Sequence, residues 1–471
     1  MGLTMGLLLA RYQIPSVILD DEGPMVEGSR AICIERHTLE IFNRLDVAAP
    51  MLAKGVTWRV GRVFYGAREL FQFEFPAAGE NQIPRFINLQ QYYTEQYLVD
   101  GVHRQKLCDL RWHHRVIGLR QDDRSATVAV ETPAGAIEIE ADYVLAADGA
   151  KSMIRKLLEI PFAGTSYADR FLICDIRADL AFPCERWFWF DPPFHHGRSA
   201  LIHPQPDNVW RIDWQLGPDA DAEHERQPEA LDRRIRAMIG GAPYEVVWPT
   251  VYTFHQRCAD HFSKGRVFLL GDAAHLVAPF GARGMNSGVQ DGNNLAWKLW
   301  LVMKGMAPPA LLNTYEAERR AAALENLRIT DETMAFISPQ GAWPRWRRDL
   351  ILRGSVYFRS LRKWVNSGRL SEPTRYGKSA IIDARGGGVA PASVLEGVGF
   401  TALCFGKKPR DPGLNLPCAV RVEDPGSALA QAMDAKPGTL CLVRPDGHIA
   451  VWIDDATRVT LQDVLNFAIG A

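Results

Sequence analysis

The segment Gly265-Arg266-Val267-Phe268-Leu269-Leu270-Gly271-Asp272-Ala273-Ala274-His275, running on through Pro279-Phe280-Gly281-Ala282-Arg283-Gly284-Met285-Asn286 to Asp291, brings together residue types that could do chemistry in concert. Its pattern predicts a strand, an acidic turn, a Gly-rich loop and a helix. Val267 to Leu270 form a short apolar run suited to a buried parallel strand, and Asp272 falls where that strand ends, the edge at which open α/β sheets bind ligands. A carboxylate there can accept hydrogen bonds from sugar hydroxyls. Gly281 and Gly284 let the backbone approach a flat ligand closely, and a helix starting near Met285 points free N–H groups and its positive dipole end at that ligand. Such a terminus stabilises a ring that carries negative charge.

Two further groups of residues extend the pattern: Asp148-Gly149-Ala150-Lys151-Ser152 through Arg155, after the apolar run Tyr143 to Ala146, and Gly28-Ser29-Arg30-Ala31 with Gln91 of Asn88-Leu89-Gln90-Gln91. Together the three resemble the FAD-dependent aromatic monooxygenases, the single-component flavoprotein hydroxylases of the phenol and 3-hydroxyphenylpropionate hydroxylase type. Gly271-Asp272 with Pro279, Gly281, Gly284 and Asn286 is similar to the family's second flavin-binding motif. Asp148 to Arg155 resembles its Asp-Gly motif, which touches both FAD and the nicotinamide cofactor. Gly28 to Ala31 and Gln91 match flavin contacts in order and spacing. The resemblance covers residues 1 to 330 closely and the tail more loosely.

A Rossmann fingerprint should open such a chain: strand, three glycines, helix, then an acidic residue about 20 positions on for the ribose. Only its end is visible. Gly2 fits the third glycine, Leu3 to Tyr12 the helix, Ser16 to Leu19 the second strand and Asp20 the ribose acid, while the first two glycines would lie before Met1. The expectation is a truncated fingerprint with its start assigned too late, and weakened FAD binding. Gly2 and Asp20 alone would fit an ordinary amphipathic helix; the downstream motifs favour the fingerprint. A secretory signal over Gly6 to Ala10 fails because no basic residue precedes it, Arg11 interrupts it and no small-residue cleavage site follows.

Length and composition fit a globular enzyme. The 471 residues can hold two or three domains, and 47% hydrophobic with 23% charged residues is ordinary for such a chain. A net charge of −1 gives no reason to expect nucleic acid. No run approaches the roughly 18 apolar residues that span a bilayer. The eight cysteines (Cys33, Cys108, Cys174, Cys184, Cys258, Cys404, Cys418 and Cys441) show no CxxC and no zinc spacing, which fits reduced thiols in a cytoplasm and no metal site.

The expected fold class is α/β: a Rossmann-like FAD-binding domain (1–60, 85–160, 255–330) interleaved with a mostly β substrate-binding sheet (61–84, 161–254), followed by a helical segment (331–370). Trp58 to Tyr65, Phe171 to Arg177, Arg186 to Phe190, Ser199 to His203 and Asn208 to Leu216 are rich in aromatic and β-branched residues and predict strands. Gly386-Gly387-Gly388 and Pro391 mark a linker. Beyond it Thr401 to Phe405, Thr439 to Arg444 and Ile449 to Ile453 predict strands, with a final helix from Leu461. This tail, 371–471 with its linker, resembles the thioredoxin-like C-terminal domain of some of these hydroxylases. Lacking CxxC, it should be structural or oligomeric.

The resemblance implies hydroxylation of an activated aromatic compound with NADPH or NADH and O2 through a flavin C4a-hydroperoxide, nicotinamide docking only transiently. FAD contacts are expected at Gly2, Asp20, Arg30, Gln91, Asp148, Gly149, Gly271, Asp272, Gly284, Met285 and Asn286. Pro279 and Gly281 are expected where oxygen and substrate meet. His203, Arg211 and Asp213 are candidates on the roofing sheet, each with an equal reading as a structural polar residue. His275 could titrate near the flavin or be a hydrogen-bonded structural histidine, and His195 and His196 lack partners for a metal. The run from Arg345 to Trp364, seven basic residues interleaved with Trp346, Tyr357, Phe358 and Trp364, resembles a membrane-surface helix but more often is a solvated face over a packed apolar stripe. Partners are a small aromatic substrate and O2, with no stable membrane association and a homodimer left open. Trp187-Phe188-Trp189 resembles the Trp-x-Trp signature of flavin-dependent halogenases, although Phe190-Asp191-Pro192 follows in place of its Ile-Pro ending. Another flavin oxidoreductase, or a non-catalytic relic, are the remaining alternatives.

Overall fold

The computed structural model describes residues 1–23, 28–77, 79, 82–365, 370–410 and 414–471; positions 78, 80–81 and 366–369 of the expected segments 61–84 and 331–370 lie outside the described residues. Two small sheets form the floor of the molecule, one parallel and one mixed, with Ser263–Lys264 as its antiparallel edge. Ser16–Leu19 pairs with Cys108–Arg111, and Val144–Ala146 pairs with Val267–Leu269. Val267, Phe268 and Leu269 are wholly buried, as an apolar strand without alternation should be.

Two helices meet over these strands. Gly2–Arg11 buries Thr4 to Ala10, and Arg283–Met303 is buried along most of its length. Gly288 and Gly292 explain how closely they pack: a Cβ on Gly288 would stand 3.2 Å from the Met1 sulfur, and one on Gly292 would stand 3.2 Å from Leu8 Cδ1.

An eight-stranded sheet roofs this floor, in the order His275–Leu276, Glu245–Ala259, Phe162–Arg177, Val209–Gln215, Ser199–Pro204, Arg186–Phe190, Val60–Tyr65, Arg68–Glu74. Period-two alternation decides its faces. Trp210, Ile212 and Trp214 point one way into a core with Leu172, Cys174, Ile176, Trp189, Ala200 and Ile202, capped by Leu231 and Ile235 of the helix Pro228–Ile239. The intervening Arg211 and Asp213 must then face the floor. The outer position of Trp187 and Trp189, on this far face, turns both away from the Gly-rich loop and removes the structural basis of the halogenase comparison.

A three-stranded antiparallel sheet, Arg115–Gln121, Ala126–Thr132 and Gly135–Ala141, flanks the floor. The C-terminal region forms a four-stranded sheet ordered Cys418–Glu423, Phe400–Phe405, Leu440–Val443, Ile449–Ile453, with the helix Leu461–Ile469. It is locked to the floor by buried charge. Arg444 donates to Glu318 at 2.6 and 2.9 Å, and Lys298 donates to the same carboxylate at 2.9 Å.

The helix Ala342–Gly354 departs from expectation. Trp343, Trp346 and Leu350 are 68%, 55% and 55% exposed, so the apolar stripe is not packed inward. Leu352 alone in this helix is fully buried. Trp343 stacks on Trp346 at a ring separation of 4.9 Å. Among the described residues no helix is long and apolar enough to cross a membrane.

Candidate active site

The site is assembled where the strand Val267–Leu269 ends. Gly271 has φ +54, a conformation natural to glycine, and its N–H donates to Asp291 Oδ2 at 3.0 Å. This turn presents Asp272 into a crevice: its neighbours Gly271 and Ala273 are buried while Asp272 itself is open to solvent. Desolvation by the crevice walls raises the Asp272 carboxyl above its ordinary pKa, opposed by His275, the chain's amino group and Arg30. Asp20, at the end of its own strand, faces the same amino group at the start of the N-terminal helix, together with Asp272 and Glu95. The structure therefore brings Gly2, Asp20 and Asp272 to one region.

Asp148 joins them from the adjacent strand. Its Oδ2 accepts from the N–H of Ile154 at 3.0 Å, Gly149 has φ +75, and Arg155 donates at 2.8 Å to the carbonyl of Ala273. The two acidic turns are thus tied together by one arginine. Gln91 plays a similar part for the Gly28–Ala31 loop: its Oε1 accepts from the N–H groups of Arg30 and Ala31, both at 3.2 Å.

The Gly-rich loop closes the site. Gly281 has φ +83 and Ala282 is left-handed at φ 56, so the chain turns sharply into the helix Arg283–Met303, whose first turn has no side-chain cap. A Cβ on Gly284 or Gly149 would meet nothing within 4 Å, which marks both backbones as walls of open space. Asn286 is fully buried, and its side chain is spent on fixing the neighbouring strand: it accepts from Glu35 N and donates to Cys33 O, each at 3.1 Å. Only its backbone is available to a ligand, as is Met285's. Uncapped helix N–H groups, two glycine walls and a solvent-open carboxylate at a strand end suit FAD: anionic or polar edges at the helix terminus, hydroxyls at the acids.

Phe280 connects this loop to the roof. It packs edge-on against Phe171 and Phe254, at ring separations of 5.6 and 5.7 Å. Phe188, Phe190 and Leu201 line the same side with Phe280. Set into this apolar surface are the polar candidates. Arg211 is buried and committed: Nε and Nη2 donate to Asp175 at 2.8 Å each, Nη1 to the carbonyl of Arg30 at 2.9 Å, and Nη2 also to the carbonyl of Ser29. Arg211 thus braces the Ser29–Arg30 loop, which accords with the structural of its two readings. His203 is buried with neither ring nitrogen partnered, and Asp213 Oδ1 and Gln205 Oε1 are likewise without partners. Each such atom costs about 1–3 kcal/mol, so their clustering on one face is a feature of a binding site more than of a finished core.

His275 resolves as structural. It is buried, and its Nε2 lies 2.8 Å from Asp291 Oδ2. Arg319 donates to the other oxygen of Asp291 at 2.7 Å. That triad, which organises the Gly271-Asp272 turn, was invisible in the sequence: Asp291 and Arg319 sit on different helices, and no local spacing pairs them. His195 donates from Nε2 to Gln215 O and accepts at Nδ1 from Arg234, and among the described residues no cluster of His, Cys, Asp and Glu could hold a metal.

A strand-end acid, a second acidic turn, an uncapped helix over glycine walls and an aromatic roof are the parts of a two-motif flavoprotein. A sequence model of the family described as FAD binding domain matches residues 1–330, and the chain belongs to that family as an FAD-dependent aromatic monooxygenase. It is 32% identical over 391 residues to a 3-(3-hydroxy-phenyl)propionate/3-hydroxycinnamic acid hydroxylase of Burkholderia vietnamiensis, covering 81% of this chain and 69% of that protein. A hydroxylase with the same substrate name from Mycolicibacterium smegmatis is 26% identical, over 95% of this chain and 88% of the relative. In fold it is similar to the flavin-dependent monooxygenase PieE in complex with FAD and substrate, with TM-score 0.82, 22% identity and coverage of 99% and 96%. Aklavinone-11 hydroxylase with FAD and aklavinone gives TM-score 0.79, 20% identity and coverage of 100% and 97%.

Proposed function

We propose that this enzyme hydroxylates a phenolic ring bearing an acid side chain, using NADH or NADPH and O2, in the manner of the 3-hydroxyphenylpropionate hydroxylases it is similar to. The overall balance is Ar–H + O2 + NAD(P)H + H⁺ → Ar–OH + H2O + NAD(P)⁺. The observation that carries the reading is the apposition of Phe280, in the Gly-rich loop, with the aromatic and partly unsatisfied polar face of the roof.

FAD supplies the redox chemistry and the activated oxygen. The chain's own residues do the rest. Asp20 and Asp272 would accept from cofactor hydroxyls, Asp148 and Gly149 would border the bound cofactor, and Gly284, Met285 and Asn286 would offer it backbone N–H groups. Arg30 and Gln91 shape the opposing loop. Phe171, Phe188, Phe254 and Phe280 exclude water and stack a ring. Pro279 and Gly281 lie beside that stack. The same reading divides the chain into an FAD-binding part interleaved with the roof, and places its work in the cytoplasm, as a monomer or homodimer.

The test is to incubate FAD-loaded protein with nicotinamide cofactor, isotope-labelled O2 and 3-(3-hydroxyphenyl)propionate or simple phenols. One labelled oxygen in the ring is the expected result. If phenols neither stimulate nicotinamide oxidation nor acquire label, the hydroxylase reading falls.

A further inference from the structure

The outer side of the helix Ala342–Gly354 combines two kinds of side chain that a folded protein normally separates. Trp343, Trp346, Arg347, Leu350 and Arg353 follow one another at helical spacings, so they share one side of the helix, and all five are exposed. Leu352 lies on the opposite side, buried with Val63, Leu70, Phe188 and Phe190 of the roof. The pattern continues past the helix. Tyr357, Phe358 and Trp364 are 74%, 63% and 64% exposed, and Arg359 and Lys363, between them in the chain, are open to water as well. The inner side of the segment is tied to the edge of the roof: Arg353 lies over the Tyr65 ring, and Arg362 lies over the Phe71 ring and donates to the Ser355 carbonyl at 3.0 Å.

Charge is lopsided in the same place. Residues 343–364 hold seven Arg and Lys side chains against one acid, Asp349, in a chain whose net charge is −1, so the remainder of the chain is net negative. Asp349 is taken by Arg348 at 2.9 Å, and among the described residues no carboxylate pairs with Arg345, Arg347, Arg359 or Lys363. Water suits these cations but not the three tryptophans, Phe358 and Leu350 beside them, while a protein interior would take the rings and leave the cations unpaired. A second copy docked symmetrically would set cation against cation. The boundary of an anionic bilayer offers both partners, phosphates for the cations and the acyl edge for the rings.

We propose that the 343–364 segment is a docking face for an anionic phospholipid bilayer. Trp343, Trp346, Leu350 and Phe358 enter the headgroup boundary, and Arg345, Arg347, Arg359 and Lys363 pair with lipid phosphates. The attachment is peripheral and reversible, the helix lying in the interface; among the described residues no helix is long and apolar enough to cross.

The experiment mixes FAD-loaded protein with sedimentable vesicles of phosphatidylcholine, alone or with about 30% phosphatidylglycerol. Each is run at low salt and at about 0.5 M NaCl. Wild type should bind the anionic vesicles at least about a hundredfold more strongly than the neutral ones and lose most of that binding at high salt. Brominated acyl chains should quench its tryptophan fluorescence. Arg347→Gln with Arg359→Gln should weaken binding to the anionic vesicles by about thirtyfold. Trp343→Ser, Trp346→Ser and Leu350→Ser together should weaken it at least about tenfold and reduce the quenching. Flavin content should be unchanged in both variants, because none of these side chains borders the flavin crevice.

The lipid and salt comparison uses wild type alone, so a misfolded variant leaves the test intact. Equal binding to the two vesicles, no binding to the anionic ones at low salt, or binding that the serine variant keeps in full overturns the proposal. A stable dimer that the serine substitutions dissociate, or an RNA oligonucleotide bound more tightly than the vesicles, assigns the face to that partner and overturns it as well.

Discussion

Arg211 and Asp175, 36 residues apart, form a two-point ion pair at 2.8 Å in which both side chains are at most 4% exposed. The same guanidinium holds the Ser29 and Arg30 carbonyls, so one side chain couples two roof strands to a loop of the cofactor domain. Arg211→Met would leave Asp175 charged and buried beside two unsatisfied carbonyls. A loss of about 3–5 kcal/mol in unfolding free energy is expected, with reduced bound FAD because the loop is released. Urea unfolding and flavin content of the purified variant check this. A variant as stable as wild type would mean the pair is dispensable.

Asp272→Ala removes the carboxylate that the strand end projects into the crevice. Losing one charge-assisted hydrogen bond, about 1.5–3 kcal/mol, should weaken FAD by roughly tenfold to more than a hundredfold. Flavin fluorescence titration measures it. Unchanged affinity would move the cofactor hydroxyls away from Asp272.

Trp343, Trp346 and Leu350 project into solvent, so replacing all three by serine should alter unfolding free energy by no more than about 0.5 kcal/mol per site. The same change should reduce self-association at high concentration if this apolar patch is sticky. Thermal melts and light scattering report the two effects separately. A loss of several kcal/mol would show the face to be buried.

The contrast between that helix and the roof shows what a sequence can convey. Arg186–Phe190 and Ile449–Ile453 are found at the anticipated residues because aromatic and β-branched side chains there are packed on a sheet. Gly135–Ala141 and Cys418–Glu423 were not anticipated: the first is largely open to water, and the second is a short, half-buried edge strand. Basic and aromatic residues from Arg345 onward announce an amphipathic helix, but not whether anything covers it. At the site, the acidic turns and glycines were legible because each motif is local. Arg211 was not, since its residue type suggests an anion contact while its partner Asp175 comes from another strand.

Asp291 offers the clearest link between pH and the cofactor turn. It is wholly buried, accepting from Gly271 N at 3.0 Å and Arg319 Nε at 2.7 Å, with His275 Nε2 at 2.8 Å. Burial alone would raise its carboxyl pKa, but His275, Arg319 and their hydrogen bonds prevail and hold it below the ordinary value. A depressed folded-state pKa means the ionised carboxylate contributes stability above the unfolded value near 3.9, and that this contribution is lost as pH falls through the lower folded value. Asp291→Asn keeps the shape but leaves Arg319 without its counter-charge, so at neutral pH it should cost about 3–5 kcal/mol. The difference from wild type should stay constant from about pH 7 to pH 5 and shrink below about pH 4, as the wild-type carboxyl begins to take up its proton. Unfolding by urea across that range measures the gap. Since the same carboxylate fixes the Gly271 N–H, bound FAD should fall in parallel at neutral pH. A variant whose stability deficit persists unchanged at the lowest pH, or that retains FAD as well as wild type, would show that the carboxylate's charge does not organise the turn.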